Sequence, residues 1–154
     1  MSDLYDADIL EWSEQQAALL RRLAAGERVN DQVDWQNLIE EVEDVGRSQL
    51  SAVRSHIVLA LLHELKAAAW PLSRDVPHWR AEAVGHRQEA AEAFAPSMRQ
   101  HLDMQALYAR ALCRMPETED GVTPLPMAAT CPVTLDELLT EPPSGPGRLS
   151  LSGR

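Results

Sequence analysis

His56 and His63 stand seven residues apart in a stretch that reads as helix, a spacing of two turns, so both rings project from nearly one face. His86 and His101 fall on or near the inner faces of the next two helical stretches. Imidazole nitrogens converging from facing helices are a donor set for a divalent transition metal. His56, His63 and His86 are therefore the candidate metal ligands, with Glu40 as the carboxylate that could join them. The Glu-x-x-His pairs of carboxylate-bridged di-metal bundles are absent, as is His-Glu-x-x-His. A core histidine holding one hydrogen bond is the more common fate of such a residue.

Glu40, Glu41, Glu43 and Asp44 form a second candidate, as a cation site or an acid and base pair, although a solvated acidic face explains them more simply. Arg87 is the natural partner for Glu40 or Glu41 if either turns inward, and that role is structural. Other chemistry finds no support. No G-x-S-x-G, no cysteine and histidine signature and no phosphate-cradling glycine loop occurs, so catalytic residues are not assignable and no cofactor is implied beyond the metal alternative. Cys113 and Cys131 make no C-x-x-C and read as free thiols in a reducing compartment.

The net charge of −10 repels a nucleic-acid backbone or an anionic membrane unless a basic patch overrides it. Residues 1–46 carry −9, residues 47–115 carry +3 and residues 116–154 carry −4. Within the middle stretch Arg74, Arg80, Arg87, Arg99, Arg110 and Arg114 are interleaved with acids and lack a helix-turn-helix signature or stacking aromatics, which argues against nucleic acid. No basic n-region followed by an apolar run marks a signal, and no run approaches the roughly 20 apolar residues of a membrane span. The expectation is a cytoplasmic protein.

These groups must be positioned by helices. A chain of 154 residues suits one domain, and its 5% aromatic content with abundant Ala and Leu favours helix over sheet. Ile9, Trp12, Gln16, Leu19 and Leu23 predict a first helix over residues 4–25, which Gly26 stops. Asp34 is an N-cap for a second helix running to Trp70, where Pro71 ends it, with Trp35 as a core anchor in its first turn. Its stripe of Trp35, Leu38, Ile39, Val42 and Val45 continues in Leu50, Val53, Ile57, Ala60, Leu61 and Leu65. So long a rod, about 54 Å at 1.5 Å per residue, either bends at Gly46, Arg47 and Ser48 or is covered by a second protomer.

A third helix starts between Arg74 and His78, aided by Pro77, and a fourth is expected from Ser97 to about Met115. From Pro116 onward the chain holds 7 of its 10 prolines and reads as an extended tail packing on the bundle. Within it Thr134-Leu135-Asp136-Glu137 matches a capping box and predicts one short helix. The expected organisation is all-α: a bundle of about four main helices over residues 1–115, one very long, then the tail over 116–143 and a disordered end over 144–154.

Several segments together carry a resemblance: Tyr5-Asp6-Ala7-Asp8 followed by Trp12 and Gln16-Ala17; Asp34-Trp35-Gln36-Asn37-Leu38-Ile39-Glu40-Glu41; Gly46-Arg47-Ser48; Leu61-Leu62-His63; Trp79 with Arg87; Pro96-Ser97; and Cys131-Pro132. In order and spacing the chain resembles the bacterial domain-of-unknown-function family 29 over most of residues 5–139. It departs at Val133, where the family tends to have Trp, and over residues 64–70. The resemblance implies a helical domain with no established activity. The sequence thus reads first as a non-enzymatic helical interaction module, a homodimer or the binder of a protein partner. The alternative is a small metal-binding protein or metal-dependent hydrolase using the bundle histidines.

Overall fold

The computed structural model describes residues 3–140. The expected disorder of residues 144–154 lies outside the described residues, which hold helices and a few short turns and no strand. The chain divides into two compact units, Met1–Ser48 and Gln49–Arg154, so the boundary falls inside one helix.

In the first unit α1 (Asp3–Ala7) is followed directly by α2 (Ile9–Ala24). The single helix expected here is interrupted at Asp8, whose backbone leaves the helical region (φ −152°, ψ 88°) and whose carboxylate caps α2 by accepting from Glu11 N at 3.0 Å. Gly26 stops α2 as expected, with φ +89°, the left-handed conformation glycine adopts without a Cβ clash. Trp12 and Gln16 are the buried face of α2, with Val29 and Val33 from the following loop also buried.

Asp34 organises the turn into α3 (Trp35–Ala69). Its carboxylate accepts from Trp12 Nε1 at 3.0 Å and from Asn37 Nδ2 at 2.8 Å, lies 3.5 Å from Asn37 N at the helix start, and is held below the usual carboxylate range chiefly by Asn37. Its own N–H donates to Gln16 Oε1 at 2.9 Å. Buried Trp12 and Gln16 thus find polar partners at one aspartate.

Trp35 is a correction. Expected as a core anchor, it is 45% exposed, and its indole N–H donates to Asn30 O at 2.8 Å. The two stripes of α3 also part company: Val53, Ile57, Leu61 and Leu65 are core, whereas Ile39, Val42 and Val45 are exposed. Helical structure continues through Gly46, Arg47 and Ser48, and a Cβ built at Gly46 meets nothing within 4 Å. No close approach explains that glycine.

In the second unit the later part of α3 is followed by α4 (Val76–Ala93), starting in the expected window with Pro77 in its first turn. The fourth helix does not begin at Ser97. Pro96–His101 forms a 3-10 helix, Leu102 is extended, and Asp103 caps a shorter α5 (Met104–Cys113) by accepting from Ala106 N at 3.1 Å. A local cap and an extended residue outweigh the apolar periodicity that linked the two pieces.

The segment after Pro116 lies on this unit. Trp70 Nε1 donates to Val122 O at 2.9 Å, Tyr108 OH to Ala128 O at 2.6 Å, and Leu125 N to Ala69 O at 3.0 Å. Asp120 and Gly121, with φ of 49° and 76°, make the tight turn that presents the Val122 carbonyl. The capping box forms as expected: Thr134 N donates to Glu137 Oε2 and Glu137 N to Thr134 Oγ1, each at 3.2 Å. It starts α6 (Leu135–Thr140), whose Leu135 and Leu138 enter the core around Ile57, Leu61 and Tyr108.

Candidate metal centre and interaction face

Trp70 and Pro71 turn the chain so that α4 returns along α3. Trp79, early in α4, meets Trp70 just past the end of α3 with ring centroids 6.3 Å apart, whereas Arg87 and His86, further along α4, meet Glu64 and His56 earlier in α3, so the two helices run antiparallel. Adjacent residues on a helix differ by about 100° in direction. Glu64 and Arg87 therefore pair in the interior, while the neighbouring His63 and His86 meet one step around the same two helices.

Arg87 Nε donates to Glu64 Oε1 with both residues under 10% exposed, and Arg87 Nη1 donates to Glu137 O at 3.4 Å. This corrects the expected pairing with Glu40 or Glu41. Glu41 accepts from Tyr5 OH at 2.6 Å, Glu40 is exposed, and Asp44 and Glu43 face Arg47, whose Nε lies 2.8 Å from Asp44 and whose Nη1 lies 3.5 Å from Glu43. The acidic run is a solvated face with local ion pairs.

His56, His63 and His86 do converge. His56 Nδ1 and His86 Nδ1 lie 3.1 Å apart, a hydrogen bond in which one ring donates and the other accepts. The His63 and His86 rings stack with centroids 5.8 Å apart and planes 7° from parallel. Glu82, one turn before His86, brings Oε2 to 3.7 Å from His86 Nε2. Nitrogen or oxygen atoms of His63, Glu82 and His86 lie within 4.8 Å of one another. His63 Nδ1 is buried without a hydrogen-bond partner, and burial followed by nearby His86 lowers the His63 pKa, which keeps the ring neutral.

Glu82 is the member that sequence reasoning missed. The available signal was Glu82-Ala-Val-Gly-His86, an i, i+4 pair on one helix face matched by the i, i+7 histidines of α3. Glu40, named in its place, belongs to the other unit, and His101 is exposed in the 3-10 helix. Cys113 and Cys131 are both free thiols. Among the described residues no helix is long and apolar enough to cross a membrane.

The second feature is in the first unit. Trp35, Ile39, Val42 and Val45 are 45%, 55%, 66% and 66% exposed, whereas Val53, Ile57, Leu61 and Leu65 further along the same helix are buried.

No curated protein matches the chain. Among solved structures it is similar to an alpha-helical protein of unknown function from Rhodospirillum rubrum, with a TM-score of 0.60, 25% identity and 92% of each chain covered. The model of the family described as Domain of unknown function DUF29 matches residues 4–142, and the chain belongs to that family.

Proposed function

We propose that the chain is a non-enzymatic helical interaction module that pairs with a second copy of itself through the N-terminal half of α3. The observation that carries this reading is the exposed row Trp35, Ile39, Val42 and Val45. At about 100° per residue the four fall within about 120° of arc, Glu40 and Asp44 point away from that arc, and Glu43 borders it. Single exposed apolar residues are ordinary, but a continuous row on one helix face is the pattern of a contact surface. A two-fold axis sets such a row against itself, which makes a second copy the fitting occupant. The acids flanking the row, Asp34 and Glu41, are engaged with Trp12 and Tyr5. The free thiols Cys113 and Cys131 suit a reducing compartment, which supports a cytoplasmic placement.

Sedimentation velocity over a concentration series tests the pairing. Val42 is 66% exposed, so completing its burial in both copies stabilises the dimer by about 2–4 kcal/mol. Val42→Glu, which the exposed position tolerates in the monomer, then weakens association about thirtyfold or more. A monomeric wild type at all concentrations, or a dimer indifferent to Val42→Glu, overturns the reading.

A further inference from the structure

We propose that His63, Glu82 and His86 bind one divalent transition metal of the zinc class, with His56 positioning His86. The donors come from two helices of the same compact unit, His63 from α3 and Glu82 and His86 from one face of α4 at i, i+4, and the positioning His56 shares the face of His63 at i, i+7. Ligand atoms about 2.0–2.1 Å from a tetrahedral ion sit about 3.3 Å apart. The donors of His63, Glu82 and His86 already lie within 4.8 Å of one another, and His86 Nε2 is 3.7 Å from Glu82 Oε2. Small side-chain rotations close the remaining distance.

The hydrogen bond between the two Nδ1 atoms assigns the roles. With the His86 Nδ1 proton donated to His56 Nδ1 at 3.1 Å, His86 Nε2 keeps its lone pair on the side where Glu82 stands. A ligating histidine usually donates its second ring N–H in this way, which fixes its tautomer and orientation. His63 contributes a buried Nδ1 that no group among the described residues satisfies. Two imidazoles and one carboxylate are borderline donors that select zinc, cobalt or nickel over magnesium and calcium, whose sites are built of oxygen. Three protein donors leave one tetrahedral position for water.

The experiment uses the full chain carrying no histidine tag, stripped of metal and titrated with Co(II) and then Zn(II). One equivalent of Co(II) should give a tetrahedral visible spectrum that one equivalent of Zn(II) abolishes, while Mg(II) gives no effect. Glu82→Gln, at a side chain 44% exposed, tests a ligand without threatening the fold and should weaken binding. His63→Ala should abolish it, and His56→Gln should weaken it by about 10- to 100-fold as loss of an orienting partner does. His101→Ala, in the 3-10 helix, should leave it unchanged. Circular dichroism confirms that each variant folds. Absence of a one-to-one Co(II) complex, or a complex that survives both Glu82→Gln and His63→Ala unweakened, overturns the site.

Discussion

Replacing Arg87 by Met should destabilise the second unit severely, and the size of the effect follows from what the substitution leaves behind. Methionine fills a similar volume, so little cavity arises. Glu64, at 9% exposure, is left with a carboxylate whose guanidinium partner is gone, and the Glu137 carbonyl of α6 loses a donor. Removing one partner of a buried pair costs about 3–5 kcal/mol, a large part of the roughly 5–15 kcal/mol by which a domain is stable. With a urea dependence of about 2 kcal/mol per molar, the unfolding midpoint should fall by about 1.5–2.5 M. The assay is urea unfolding of the full chain followed by circular dichroism and by tryptophan fluorescence. The double variant Arg87→Met with Glu64→Met is the control, since removing both charges lets apolar groups fill the space and should recover most of the loss. A single variant within about 1 kcal/mol of wild type would show a hydrated pair of the surface kind. A double variant no better than the single one would mean that packing, not charge, is what Arg87 supplies.

Two further predictions read local electrostatics. Tyr5 donates to the Glu41 carboxylate, and ionising the phenol would set two negative charges face to face, so its pKa is pushed up to about 12. Because the folded pKa lies above the unfolded value of about 10, the bond's contribution to stability is intact below that pH and is lost as pH rises toward about 12. Tyr108 is also raised, by burial, so a tyrosinate absorbance titration should show no phenol ionising in the ordinary range, and Glu41→Gln should return one toward it. An unchanged titration in that variant would refute the contact. The thiols should differ as well: burial pushes Cys131 up and its S–H donates to Val133 O at 3.2 Å, whereas Cys113 is exposed. A disulfide reagent near neutral pH should therefore react in a fast phase removed by Cys113→Ser and a slow phase removed by Cys131→Ser, and equal rates would contradict this environment.

Features that depend on a few neighbouring residues were legible in the sequence alone. Asp34 as a cap, Gly26 as a stop, the long helix ending before Pro71, Pro77 in the first turn of α4 and the Thr134 capping box all follow from satisfying free backbone groups within about one turn. The seven-residue spacing likewise placed His56 and His63 on one face, because helical periodicity is a local property. Only the tertiary structure decided what stands opposite that face. The turn after Trp70 sets the register of α4 on α3, and that register gives Glu64 to Arg87 and adds His86 and Glu82 to the histidines of α3. Glu40 and Glu41 had the right charge for Arg87, but charge type carries no information about register. Trp35 shows the same division from the apolar side. Its place in a 3.6-residue pattern identifies the helix face it occupies, and whether that face meets core or solvent depends on which elements are brought against it, and among the described residues none buries Trp35, Ile39, Val42 or Val45.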